Sequence, residues 1–190
     1  MYKPALLLFL GLISTTLPAA AYQIADVDIP DTVNPANSET TLVLNGAGIR
    51  KKFFMDIYIG ALYLPARTTD ASEILAGSGP ASVLMHFLYK EVSKEKITDG
   101  WEEGLASNLS SSDMEALQAN LKKFNTLFRT VHKGDVINID YVPGNGTAVR
   151  INDEWRGTVE GETFFRSLLK VWLGSHPVTE SLKKSMLGTD

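Results

Sequence analysis

The chain has 190 residues, 44% of them hydrophobic and none of them cysteine. That length is enough for one domain with a sizeable core, and the lack of cysteine excludes thiol catalysis, thiolate metal sites and a disulfide framework. With 18 basic against 22 acidic residues, the formal net charge of −4 offers no footprint for a nucleic-acid backbone.

Residues 1–21 have the three parts of a secretory signal. Lys3 is the only charge, an apolar run extends from Ala5 to Ile13, and Pro18-Ala19-Ala20-Ala21 supplies small residues for cleavage. Ala19 and Ala21 satisfy the A-x-A pattern, so cleavage is expected before Tyr22, leaving residues 22–190 as the mature domain. The apolar run is shorter than the ~20 residues of a bilayer span. No later segment is long and apolar enough to be transmembrane.

Pro30 to Ser38 is rich in turn formers and reads as a loop or mobile arm. Strands are expected from Thr40 to Gly46, from Phe53 to Leu64 and from Ala81 to Tyr89, the last two β-branched, aromatic and free of proline. The period then changes. Ile97, Trp101 and Leu105 recur every four residues after Ser93, the stripe of an amphipathic helix. Ser112 with Glu115 forms a capping box before a second helix that carries Met114, Leu117, Leu121, Phe124, Leu127 and Phe128. Strands return at Val136 to Val142, Thr147 to Ile151 and Glu154 to Val159. They are separated by Gly144-Asn145-Gly146 and Asn152-Asp153 turns. A helix follows Gly161-Glu162 and ends at Gly174, and a last short one starts at His176-Pro177. This order gives an α+β class, with helices on one face of an antiparallel sheet.

Few residues suggest chemistry. His86, His132 and His176 lie in different elements without metal-ligand spacing, and His86, inside an apolar strand, reads as a hydrogen-bonded structural histidine. Gly46-Ala47-Gly48 lacks the third glycine and the following helix of a dinucleotide loop, so no cofactor is expected. The adjacent pairs Glu102-Glu103 and Asp153-Glu154 read as solvated charge. Arg50 and Tyr58 stand out. A guanidinium near a buried strand suits a carboxylate or enolate oxygen, and a tyrosine hydroxyl can add a second donor. Spacing alone favours an exposed hairpin charge and a packed aromatic. Were Lys51-Lys52 the turn, Tyr58 would stand ~15 Å or more from Arg50 at about 3.3 Å per strand residue.

Leu44 to Pro65 (LNGAGIRKKFFMDIYIGALYLP) together with Leu168 to Gly188 (LLKVWLGSHPVTESLKKSMLG) resembles the chalcone isomerase superfamily, most closely its bacterial exported branch. The resemblance implies an open-faced β-sandwich, a large antiparallel sheet covered by helices with a ligand cleft between them, and a periplasmic location. It implies no single function, because the family holds isomerases, non-catalytic relatives and fatty-acid-binding proteins. In the isomerases an arginine after a Gly-x pair stabilises the attacking phenolate, and Arg50 after Gly48-Ile49 matches it. Tyr58 falls where they have a threonine, Ile97 and Gly104 where they have a helical tyrosine and asparagine. Their lysine falls near Leu88 and a threonine or serine at Val171. In the fatty-acid-binding relatives, an arginine and a tyrosine on the neighbouring strand hold a carboxylate, which Arg50 and Tyr58 resemble.

The expectation is therefore a non-catalytic binder of an amphipathic small molecule such as a fatty acid. Arg50 serves as anchor and Tyr58 as donor, with Phe54, Trp101, Leu105 and Trp172 lining the cleft. The alternative is an intramolecular lyase or isomerase that uses Arg50 as its electrophilic catalyst.

Overall fold

A computed structural model describes residues 22–190. The expected signal peptide lies outside the described residues. In chain order the elements are β1 (Tyr22–Ile24), β2 (Val27–Ile29), β3 (Thr32–Val33), β4 (Leu42–Lys52), β5 (Met55–Leu64), α1 (Ala71–Ala76), β6 (Ala81–Phe87) and β7 (Glu91–Val92). There follow α2 (Lys94–Ala106), α3 (Ser111–Thr126), β8 (Val131–His132), β9 (Val136–Val142), β10 (Gly146–Ile151), β11 (Glu154–Val159), α4 (Glu162–Leu173) and α5 (Glu180–Met186). Seven strands form one antiparallel sheet in the order β11-β10-β9-β6-β5-β4-β3.

Side chains alternate across a strand, and here both faces find cover. Tyr58, Leu62, Val83, Met85, Phe87, Ile137, Ile139 and Tyr141 face the helices, which return Trp101, Phe124, Phe164, Phe165, Leu168 and Trp172 into one cluster. Its centre is aromatic. The Trp101 ring lies 5.8 Å from Phe124, 5.5 Å from Phe128 and 5.6 Å from Trp172, and such tilted pairs contribute about 0.5–1.5 kcal/mol each beyond their burial. Ile59, Ala61, Tyr63 and Leu84 point the other way, into a smaller cluster with Leu42, Leu44 and Ile29.

The segment from Pro30 to Ser38, expected as a loop or mobile arm, is tied down on that second face. β3 pairs with β4, the Tyr63 hydroxyl donates to Pro30 O at 3.0 Å, and the Ala36 N–H donates to Asp140 Oδ2 at 3.1 Å. Asp140 also accepts from Ser82 Oγ at 2.6 Å and from Arg150 Nη2 at 3.0 Å, so this buried carboxylate is well supplied with donors.

Three boundaries differ from expectation. The turn joining β4 to β5 is Phe53-Phe54 rather than Lys51-Lys52, and β4 runs on through Arg50 to Lys52. The N-cap of α3 is Ser110, not Ser112: its Oγ accepts from the Asp113 N–H at 3.2 Å and donates to the Asp113 carboxylate at 2.7 Å. A run of three serines offers several caps, two of them with an acidic residue three positions on, and the helix takes the first. Finally, α5 begins after Thr179, which accepts from the Leu182 N–H, instead of at His176-Pro177.

Gly46 and Gly48 are explained by packing. They face α5, and a Cβ at Gly46 would collide with the Ser185 carbonyl oxygen, one at Gly48 with the Ser185 side chain. Asn45 reinforces the contact by donating to Met186 O at 2.7 Å.

Candidate functional site

Arg50 follows Gly46 and Gly48 in the same alternation, so it shares their helix-facing side of β4. The β4–β5 register pairs Arg50 with Tyr58 directly, with an irregularity between Arg50 and Lys51 that admits Ile57 as an extra residue. The 15 Å separation expected from a Lys51-Lys52 turn is thereby overturned: the Arg50 guanidinium carbon sits 5.7 Å from the Tyr58 ring centroid.

Tyr58 is buried, and its hydroxyl accepts a hydrogen bond from Trp172 Nε1 at 2.9 Å. Burial raises the phenol pKa above its ordinary value, opposed by the nearby Arg50 charge and by the Trp172 bond. The phenol is therefore neutral, and with Trp172 on its oxygen its own proton is left to donate. Arg50 makes no ion pair with any described carboxylate. A guanidinium without a counter-ion and an uncommitted O–H thus stand side by side.

Both line a cleft of about 350 Å³ between sheet and helices, within the lower range for small-molecule sites. Its sheet wall continues through Ile57, Met85 and Phe87, and its helix wall is Val92, Ile97, Trp101, Gly104, Val171 and Val178. The rim holds Lys51, Lys52, Lys96, Glu103, Ser107 and His176. The Trp101 indole N–H is buried with no partner among the described residues, an arrangement that costs about 1–3 kcal/mol when left unsatisfied.

The other expected lining residues are placed differently. Phe54 is at the hairpin tip and fully exposed, because a turn residue has no strand face to bury it. Leu105 is wholly buried behind the cleft wall, one helical turn beyond Trp101. Trp172 is also buried behind the lining and acts through Tyr58. His86 stands half-buried in β6, where burial pushes its pKa below the ordinary value, and no hydrogen bond to its ring takes part in that shift, contrary to expectation. Glu103, read as solvated charge, belongs to the cleft rim.

Lys96, Gly100 and Ser107, which join Glu103 and Gly104 in the lining, were not singled out from the sequence. Their three- and four-residue spacing puts them on one stripe of α2, beside the Ile97-Trp101 stripe. That spacing was the available signal.

The positions aligned with the isomerases' polar groups can now be located. Ile97, Gly104 and Val171 all line the cleft and bring no polar side chain to it. A Cβ on Gly104 would come 2.9 Å from Val171 Cγ1, so α2 and α4 touch where an asparagine was the alternative. Leu88 packs with the cluster on the opposite face.

A fatty-acid binding protein of Arabidopsis thaliana is similar in structure, with a TM-score of 0.64 over 85% of this chain and 92% of that one. At 17% identity the likeness shows the fold. No curated protein sequence matches the chain. The sequence model of the chalcone isomerase-like family matches residues 21–188, a stretch that includes every described element, and the chain belongs to that family.

Proposed function

We propose that this protein binds an amphipathic small molecule with a single carboxylate, a fatty acid being the chemistry that fits best. The carboxylate takes the Arg50 guanidinium and the Tyr58 O–H, and the apolar tail lies along Phe87, Met85, Ile97 and Trp101. The observation that carries this reading is the unpaired Arg50 beside the uncommitted Tyr58 proton, at the wall of an otherwise apolar cleft. Charge-assisted hydrogen bonds of this kind are the strong ones. The Arabidopsis neighbour, a fatty-acid binding protein by name, is consistent with it.

Binding is preferred to isomerisation because Ile97, Gly104 and Val171 bring no polar side chain to the cleft. Losing one preorganised donor to a developing oxyanion costs about 10²–10³ in rate. Losing several leaves only Arg50 and the Tyr58 O–H to stabilise that charge.

Titration with dodecanoate and with dodecanol, followed by tryptophan fluorescence, tests the proposal. Arg50→Ala is expected to weaken dodecanoate by about 10- to 100-fold, the worth of a hydrogen bond to a charged group, with dodecanol unaffected. Unchanged dodecanoate affinity in that variant removes Arg50 from the site.

The proposal also takes the protein as a member of the bacterial exported branch, working in the periplasm after loss of residues 1–21. Lys3, the Ala5 to Ile13 run and the Ala19-x-Ala21 pattern support this. Intact mass of the protein released by osmotic shock checks it, and a chain that retains Met1 counts against it.

A further inference from the structure

The turn between β4 and β5 departs from turn chemistry. Asn152-Asp153, between β10 and β11, uses two residues that tolerate the left-handed region, with φ of 52° and 64°, and the Ala25-Asp26 turn between β1 and β2, with 48° and 62°, has one such residue in Asp26 beside a small alanine. The β4–β5 turn places Phe53 at φ 56° instead, where an asparagine or glycine would fit without strain. Neither aromatic gains burial in exchange: Phe53 is 83% exposed and Phe54 102% exposed, with Met55 beside them at 38%. Nothing within the fold accounts for two phenylalanines there.

Charge at the tip is distinctive as well. Arg50, Lys51 and Lys52 precede the pair, and Asp56, which pairs with Lys51 at 3.1 Å, is the only acidic residue that follows within the turn region. The hairpin end is thus net positive on a chain of net charge −4. Lys51 and Lys52 also form part of the cleft rim, so the aromatic tip adjoins the cleft mouth.

We propose that this hairpin docks the protein on an anionic lipid surface, with Phe53 and Phe54 entering the headgroup region and Lys51 and Lys52 lying at the level of the phosphates. Aromatic residues inserted at the interface and flanking basic residues are the two contributions that hold a peripheral protein there. A protein partner fits less well. Two side chains on a convex tip fall far short of the roughly 800 Å² per partner of a stable interface, whereas a fluid headgroup layer requires no matching shape. In the docked orientation the cleft mouth faces the lipid, a short path for an apolar molecule moving between the two.

The test is flotation of residues 22–190, which hold both hydrophobic clusters, with vesicles of phosphatidylcholine containing or lacking phosphatidylglycerol. The chain is expected to float with the anionic vesicles. Phe53→Asn combined with Phe54→Gly should lower that binding by about tenfold or more, with a melting temperature equal to or above the parent's because the turn is relieved. Lys51→Gln with Lys52→Gln should remove the preference for phosphatidylglycerol while the hairpin stays folded. Vesicle binding that is absent in the parent, or equal in the phenylalanine variant, overturns the proposal. So does a concentration-dependent dimer in ultracentrifugation that the same variant abolishes, which would assign the pair to a second copy of the chain. Dodecanoate affinity is expected to survive the phenylalanine changes, so failure of docking and failure of the ligand reading give different results.

Discussion

Tyr58 serves two partners with one oxygen. It accepts from the Trp172 indole, itself fully buried, and keeps its proton for the cleft. Tyr58→Phe would strand the Trp172 N–H without an acceptor, so the variant is expected to lose about 1–3 kcal/mol in urea denaturation and to bind dodecanoate more weakly. Trp172→Phe should cost stability also, yet leave the Tyr58 proton available, so its carboxylate affinity is expected to fall less than that of Tyr58→Phe. The identities of Arg50 and Tyr58 were legible in the sequence, since a guanidinium beside a buried aromatic strand is unusual chemistry. The turn was not. Phe53 and Phe54 look like the start of a buried strand because aromatic runs are buried as a rule, and no local signal such as Asn-Gly marks the reversal. One misplaced turn put Phe54 in the cleft and Tyr58 far from Arg50.

Among the elements, the contact of α2 with α4 shapes the cleft wall. Gly104 permits the approach, and Val171 occupies the space a side chain would need. Gly104→Ala is expected to destabilise by about 1–3 kcal/mol, the usual cost of overpacking, although alanine is the better helix former. Val171→Ala should recover part of that loss in the double variant, a coupling that a denaturation cycle measures. If the two costs simply add, the helices do not touch as described. The long elements were readable because each sustains a period: α2 through Ile97, Trp101 and Leu105, and β5 and β6 through unbroken burial. β1, β2, β3, β7 and β8 span two or three residues each and show no period. The six-residue α1, capped by Asp70 accepting from the Ser72 and Glu73 N–H groups, has a single fully buried residue, Ile74. Tertiary pairing, rather than local pattern, creates these short pieces.

Across the whole molecule, burial on both sides of the sheet has a consequence at high pH. Tyr58 on the helix side and Tyr63 on the other both have phenol pKa values raised above 10.0, first by burial. Tyr63 is raised further by the nearby Asp31 charge. An unfolded chain ionises these phenols near pH 10, while the folded one retains their protons, so above that pH the unfolded state binds fewer protons. Stability is fully present below pH 10 and declines as pH rises beyond it, by about 1.4 kcal/mol per pH unit for each such phenol. Urea unfolding at pH 9, 10 and 11 should show this, and Tyr63→Phe should fall less steeply than the parent. Equal slopes would mean that Tyr63 ionises freely in the fold. The fold class itself was legible because the order of long strands and helices constrains the layers. The second face was less so: its cover comes from Ile29 and from the segment with Pro30 and Ala36, whose attachments to Tyr63 and Asp140 are side-chain bonds between distant residues.

The docking of α5 on β4 also sets a timetable. Asn45 and Met186 are 141 positions apart, yet their bond and the two glycines beside it complete the strand that carries Arg50. Contacts so distant in sequence form slowly, because the entropy of closing a long loop must be lost before any contact rewards it. A chain that emerges from its N-terminus first therefore cannot finish this strand's packing until Met186 is free. The strand that carries Arg50 is thus packed late, after α5 has emerged.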